Sequence, residues 1–381
     1  MTPAIIRVVT ILEAGSVTGP AKCVLEFVRE ARSTSTVQIE LSVVTFVRGP
    51  VENEFIRRVR AEGIPIDLIH ERSRFDRGTI ARLRKVIRDR NPDVLWTNAV
   101  KSHFLVRASG LHRRTPWIAF HHGYTTTDWT TRLYNQLDRW SLHDAGLVVT
   151  VCEAFARRIE QLGIDRARIR VQHMPIRPSD QQSPGVGAAV RRCLQIQPDE
   201  LVLLNVGRFS KEKGHAELLR AIAQTHRNHP TLRLRLILVG DGPDGARLRA
   251  LCTTLEIEPL VTFAGYQSDV REYFAAADVF VLPSHSEGSP NVLLEAIDAD
   301  VPIVATAVGG IPEMVTNEVD ALLVPGLDVG ALSEAIGRIL LDESLRVQLR
   351  TTARLRLSQH TPEAFFGNIA EVLREASDAS K

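Results

Sequence analysis

Apolar runs of strand length alternate with helical stretches along the whole of this 381-residue chain, and few folds accommodate that order. Strand-like runs occur at 5–12, 39–46, 94–97, 117–120 and 146–151, then at 201–206, 234–239, 260–263, 278–282 and 302–306. Helical stretches lie between them, for example at 20–32, 78–90, 132–142, 215–228 and 245–255. Such alternation implies parallel sheets with helices on both faces. The chain is too long for one ordinary core, so two domains are expected. Between Met174 and Pro198 the pattern lapses into Pro, Ser, Gly and Gln, and the hinge is placed there. The reading is an α/β chain of two doubly wound, Rossmann-like halves, 1–178 and 179–361, facing each other across a cleft. A tail helix at 362–376 follows the last sheet element. Ligands of such sheets collect at the carboxyl ends of strands.

Composition narrows the function. No apolar run approaches the ~20 residues of a membrane span. The N-terminal run Ile5–Leu12 is too short for a signal peptide and reads as a first strand. Cys23, Cys152, Cys193 and Cys252 are widely spaced, with no C-x-x-C, which points to a reduced cytosolic setting and away from structural zinc. The net charge of +2 hides an asymmetry: residues 1–178 carry 28 Lys+Arg against 18 Asp+Glu, and residues 179–381 carry 19 against 27. The densest basic run, Arg72 to Arg90, includes Arg77, Arg82, Arg84, Lys85 and Arg88. It is either a solvated helix face or a surface that attracts anionic lipid or a phosphate-bearing acceptor. No aromatic stacking residues accompany it, which disfavours nucleic acid.

The segment Glu287-Gly288-Ser289-Pro290-Asn291-Val292-Leu293-Leu294-Glu295 follows a buried strand and opens a helix. Ser289 suits an N-cap and Pro290 the first helical position. The amides there, including those of Asn291 and Val292, and the helix dipole suit a phosphate. Glu295 stands about 9 Å further along the axis. Carboxylate, anion site, carboxylate is the order in which a nucleotide sugar presents sugar hydroxyls, diphosphate and ribose hydroxyls. The plainer reading is a capped core helix.

Arg208 and Lys213 are two cations in the loop after the strand 201–206, each beside a glycine, and could neutralise a diphosphate leaving group. Gly240-Asp241-Gly242-Pro243-Asp244-Gly245 matches a dinucleotide fingerprint, but its two aspartates would repel a pyrophosphate, so a tight turn is the better reading. Asp298-Ala299-Asp300 closes a helix and is not read as a metal site. His121-His122-Gly123 follows a strand, where a histidine could hold a sugar or acceptor or assist proton transfer. Gly15 and Gly19 after the first strand would let backbone approach a ligand, and Gly309-Gly310 marks another turn.

Taken in order, these pieces resemble the family-four retaining glycosyltransferases (glycosyl transferases group 1) of the GT-B fold. The resemblance rests on Gly207-Arg208 with Lys213-Gly214, Val239 to Pro243, Pro283-Ser284, Glu287-Gly288, Glu295-Ala296, Pro302 to Thr306 and Gly309 to Glu313. In the first half it rests only on Gly19 and His122-Gly123. It implies that Arg208, Lys213 and the amides near Gly288, Ser289, Asn291 and Val292 hold the diphosphate. It implies ribose contacts for Glu295, a place beside the transferred sugar for Glu287, a donor-facing His122, and a tail helix crossing back onto the first domain. The implied activity moves a hexose or its derivative, with retention and without a metal or cofactor, from a nucleotide sugar such as a UDP-sugar. The acceptor would be a glycan or lipid-linked glycan in polysaccharide or glycoconjugate synthesis, at the cytoplasmic face of a membrane. A nucleotide-sugar epimerase or phosphorylase is the alternative.

Overall fold

The computed structural model describes residues 5–17, 19–34, 38–49, 52–73, 76–123, 129–178 and 185–379, with backbone only at 129–133. Thr18 of the first glycine loop, residues 74–75 of the basic run and residues 179–184 of the expected hinge lie outside these.

The chain forms two compact units, Met1–Pro175 with Thr361–Lys381, and Ile176–His360. The first holds β1 (Ile6–Ile11), β2 (Ile39–Val47), β3 (Ile66–His70), β4 (Val94–Thr97), β5 (Trp117–His121), β6 (Leu147–Thr150) and β7 (Ile169–Val171). They form a parallel sheet in the order β3-β2-β1-β4-β5-β6-β7. The second holds β8 (Leu201–Val206), β9 (Leu234–Val239), β10 (Val261–Gly265), β11 (Val279–Leu282), β12 (Ile303–Thr306) and β13 (Leu322–Val324). Its parallel order is β10-β9-β8-β11-β12-β13. Each order is that of a doubly wound sheet, reversing direction beside its own first strand, at β1/β4 and at β8/β11.

Successive residues of a strand point to opposite faces, and both faces here are covered by helices. Leu203, Leu236 and Val281 therefore enter one core layer of the second unit, and Val202, Leu204, Ile237 and Phe280 the other. In the first unit Val8 and Trp96 face one layer while Val9 and Leu95 face the opposite one. The central strands are largely apolar because most of both faces is covered, with Arg7 of β1 an exposed exception. The tail helix Pro362–Asp378, capped by Thr361, lays Phe365, Phe366, Ile369 and Leu373 into the core of the first unit. Phe366 packs on Phe27 with ring centroids 5.1 Å apart.

β3, β7 and β13 were not anticipated. β7 and β13 have three residues each, too few to show a period, and each of the three is paired along one edge with a neighbour. A helix, Val186–Cys193, also forms inside the stretch 174–198 where no regular element was read. Its partners are distant: Arg191 donates to the Ala276 carbonyl at 2.9 Å and pairs with Asp278 at 2.7 Å. Gly187 lies so close to the Ala275 carbonyl that a side chain would collide with it.

Candidate functional site

The carboxyl ends of β8 and β11 meet at the reversal point of the second sheet. Asn205, 2 % exposed near the end of β8, donates its amide to the Val281 carbonyl at 2.9 Å and ties the two strands together. Beyond β8 the chain turns back against the glycine-rich loop that follows β9. Phe209 N–H donates to the Asp241 carbonyl at 2.9 Å and Asp244 N–H to the Phe209 carbonyl at 3.0 Å. Gly240, at φ +145°, and Gly242 lack side chains because Cβ atoms there would run into the Gly207 and Phe209 backbone. The dinucleotide-like pattern thus serves close approach of two loops, and the Asp241 carboxylate caps the Gly242 amide at 2.7 Å.

The loop after β8 carries the cations. Arg208 is exposed and makes no ion pair with a described residue. The short 3-10 turn Lys211–Lys213 ends at Gly214, φ +67°, whose Cα is pressed against the Pro283 carbonyl at the end of β11. That approach sets Lys213 Nζ 2.7 Å from Glu287 Oε1. The same carboxylate oxygen accepts from Ser284 Oγ at 2.7 Å, and Glu287 is only 7 % exposed. Its carbonyl accepts from the Gly310 amide at 3.2 Å, and Gly309, φ +57°, leaves no room for a Cβ beside it. Lys213 and Glu287, read from the sequence as serving phosphate and sugar separately, are one ion pair in this structure.

The helix after Glu287 starts one residue later than the sequence suggested. It spans Asn291–Asp298, and Pro290, with φ −71° and ψ 111°, takes the N-cap position in place of Ser289. Ser289 therefore lies one position before the cap, and its hydroxyl contacts Met314 Sδ at 3.8 Å. The Pro290 side chain makes no capping hydrogen bond. Its first amides have no acceptor within the helix, as at any helix start. Gly288, Ser289, Asn291, Val292 and Glu295 are all half-buried around that start. Asn291 Oδ1 is buried with no partner among the described residues, and Glu295, four positions on, shares its helix face. Asp298-Ala299-Asp300 ends the helix, with Asp300 left-handed at φ 59° and 3.4 Å from Arg350.

Gly19 and His122 belong to the first unit. Gly19 is the first residue of the helix Gly19–Ser33, and a Cβ there would meet open space. His121 and His122 have different surroundings. His121, 4 % exposed, turns to Asp138, its Nδ1 3.3 Å from Oδ2. His122 stacks on Phe120 at 4.5 Å, and its Nε2 has no partner among the described residues. Burial and the neighbouring imidazoles of His121 and His103 push His122 down to about 3, so its ring is neutral and can accept or donate a hydrogen bond. In the basic run Arg82 pairs with Asp76 at 2.6 Å, Arg84 donates to the Ser109 carbonyl at 2.7 Å and Arg90 pairs with Asp67 at 2.7 Å. Arg77, Lys85 and Arg88 remain exposed.

The sequence reading missed Ser284 as a ligand of the Glu287 carboxylate, His103 and Asp138 behind His121, and His215. His215 directly follows Gly214, is 2 % exposed and packs edge-on to Phe209 at 5.0 Å. Burial and Lys213 push it down to about 4. Between pH 6.5 and 4 the unfolded chain therefore binds a proton that the folded one refuses, and stability rises with pH across that window. The loss at pH 4 is about 3 kcal/mol for this one group. Denaturant titrations from pH 4 to 7 are expected to show a shallower acid limb in His215→Gln than in the parent chain; equal slopes would refute it.

Residues 188–356 match the profile of the family described as Glycosyl transferases group 1, and residues 18–174 that of the Glycosyl transferase 4-like domain. A D-inositol 3-phosphate glycosyltransferase of Saccharomonospora viridis is 36% identical over 205 residues, 51% of this chain and 48% of that protein. The lipopolysaccharide core biosynthesis glycosyltransferase LpsD of Rhizobium meliloti is 37% identical over 174 residues, 44% of this chain and 49% of that protein. The chain thus spans about half the length of these curated relatives. Among solved structures, Anabaena Alr3699/HepE in complex with UDP-glucose superposes with a TM-score of 0.82 at 21% identity, covering 97% of this chain and all of that one. WaaG, a glycosyltransferase involved in lipopolysaccharide biosynthesis, gives 0.71 at 17% identity, covering 96% of this chain and 99% of that one. With both halves matched in order and each sheet doubly wound, this chain belongs to the group 1 glycosyltransferases and has the GT-B fold.

Proposed function

We propose that this chain is a retaining glycosyltransferase that moves a hexose or its derivative from a UDP-sugar to a glycan or lipid-linked acceptor. The observation that carries the proposal is the grouping at β8/β11: exposed Arg208, the Lys213–Glu287 pair and the helix start at Asn291 lie on adjoining strand ends. The names of the relatives and the UDP-glucose bound to Alr3699/HepE support the class of donor. Arg208, Lys213 and the first amides of the helix Asn291–Asp298 neutralise the diphosphate, and Glu295 accepts hydrogen bonds from the ribose hydroxyls. Glu287, with one oxygen occupied by Lys213 and Ser284, turns its remaining lone pairs to the sugar. A carboxylate there stabilises positive charge developing at the anomeric carbon.

The acceptor oxygen forms its bond to the anomeric carbon as the bond to the β-phosphate oxygen breaks. The departing oxygen takes the acceptor's proton, so UDP leaves, the glycoside forms and no protein nucleophile is used. The first unit takes the acceptor, and His122 offers its ring nitrogen to a sugar hydroxyl. No metal enters this scheme.

A thermal-shift series with UDP-glucose and other nucleotide sugars is expected to raise the melting temperature through mass action, and Glu295→Ala to abolish that rise. Transfer is expected to persist in excess chelator. No shift with any nucleotide sugar would refute the donor assignment, and loss of turnover in chelator would refute metal independence. Product from donor alone, with its sugar inverted at one carbon, would mark an epimerase instead.

A further inference from the structure

A second buried polar cluster lies in the first unit, and the scheme above makes no use of it. Asp138 sits on the helix Trp129–Leu142 and is 0 % exposed; His103 sits on the helix Val100–Ser109 and is 1 % exposed. His103 Nδ1 lies 2.6 Å from Asp138 Oδ1, while His121 Nδ1 approaches Oδ2 of the same carboxylate at 3.3 Å. One carboxylate thus joins two helices to the last residue of β5. Burial would raise its pKa, but the imidazoles of His103 and His121 outweigh burial and hold it well below the usual carboxylate range.

A buried ion is a weak source of stability, since apolar groups of like volume pack as well or better. What this one supplies is orientation. His103 Nε2 is buried without a partner among the described residues. A proton there would be an unsatisfied buried donor, so the proton sits on Nδ1, facing Asp138. The strand end is clamped from its other sides as well. The His121 carbonyl accepts from Thr150 Oγ1 at 3.1 Å, His122 stacks on Phe120, and Gly123, φ +101°, fits only without a side chain against the Phe155 ring. Side chains alternate along a strand, so fixing His121 on one face fixes where His122 emerges on the other.

We propose that Asp138, acting through His103 and His121, is a positioning residue that holds the end of β5 so that His122 meets a sugar hydroxyl in one orientation. This rests on the role given to His122 above. A displacement of about 1 Å at a reacting group can cost on the order of a hundredfold in rate.

The test is Asp138→Asn, which keeps volume but makes one of the two oxygens a donor. Histidine 15N spectra of the full chain are expected to show the Nδ1–H form of His103 in the parent and its loss in the variant. Turnover of the nucleotide sugar selected by thermal shift should fall about tenfold to a hundredfold in kcat with donor KM unchanged. In a His122→Ala background Asp138→Asn should cost nothing further. Losses that multiply, an unchanged His103 tautomer, or full activity of Asp138→Asn beside an impaired His122→Ala would overturn the proposal. An unimpaired His122→Ala would sink the reading of His122 itself. Should Asp138→Asn not fold, His103→Gln, which leaves the carboxylate intact, carries the same kinetic expectations, alone and in the His122→Ala background.

Discussion

Lys213→Ala is expected to lower kcat/KM for the nucleotide sugar by about a hundredfold to a thousandfold, the usual effect of removing one preorganised charge from a developing anion. Two effects combine. The leaving diphosphate loses a cation, and Glu287 loses the partner that lies 2.7 Å from its buried carboxylate. A buried carboxylate left with the Ser284 hydroxyl but no cation should also lower stability, by about 1–3 kcal/mol. Lys213 is 27% exposed along its side chain, so water replaces part of its contribution and the lower end of that range applies. The double variant Lys213→Ala/Glu287→Gln separates the two effects. It should recover most of the stability, because a neutral amide needs no cation, and none of the activity. Steady-state kinetics and denaturant titration of the parent chain and the two variants decide the matter. Full activity in Lys213→Ala would remove this residue from the donor site.

Gly309→Ala should be the most damaging single-methyl change in the second unit. Two penalties coincide there. The backbone is left-handed at φ +57°, and the new Cβ would overlap the Glu287 carbonyl. Left-handed strain and overpacking each cost on the order of 1–3 kcal/mol, so a loss of about 3 kcal/mol is expected. If the chain relaxes instead, Glu287 moves and the pair with Lys213 opens, so activity falls even where stability is partly kept. Gly367→Ala is the matched control. Gly367 lies inside the tail helix with open space where a Cβ would go, and the change should stabilise by about 0.5–1 kcal/mol. Melting curves and activities of the two variants test this directly; a neutral Gly309→Ala would show that the contact is not tight.

The sheet elements legible in the sequence were those buried on both faces. β8, β9, β11 and β12 are short apolar runs bounded by glycine, proline or aspartate, and covered parallel strands demand that pattern. β7 and β13 escaped because three residues carry no period, and the helix Val186–Cys193 because its partners, Ala275 to Asp278, lie some 85 residues away. The start of the helix after Glu287 was misplaced by one residue, since Pro290 can serve as cap or as first turn, and the cap position was taken.

The candidate site divides in the same way. Arg208, Lys213 and Glu287 announce themselves because charge beside glycine near strand ends is locally unusual, and Glu295 by its place in the helix that follows. That Lys213 reaches Glu287 is not a local property: 74 residues separate them, and Gly214 against Pro283 closes the distance. Nor does any spacing join His103, His121 and Asp138, which come from two helices and a strand. By itself the sequence determined the doubly wound halves, because burial on both faces fixes which residues a strand can use. It also determined which charged groups stand at strand ends. Only the tertiary structure decided which charges pair and which of two adjacent histidines keeps a ring nitrogen without a partner among the described residues. Burial is a property each residue expresses alone, whereas an ion pair or a tautomer depends on what the fold brings within about 3 Å.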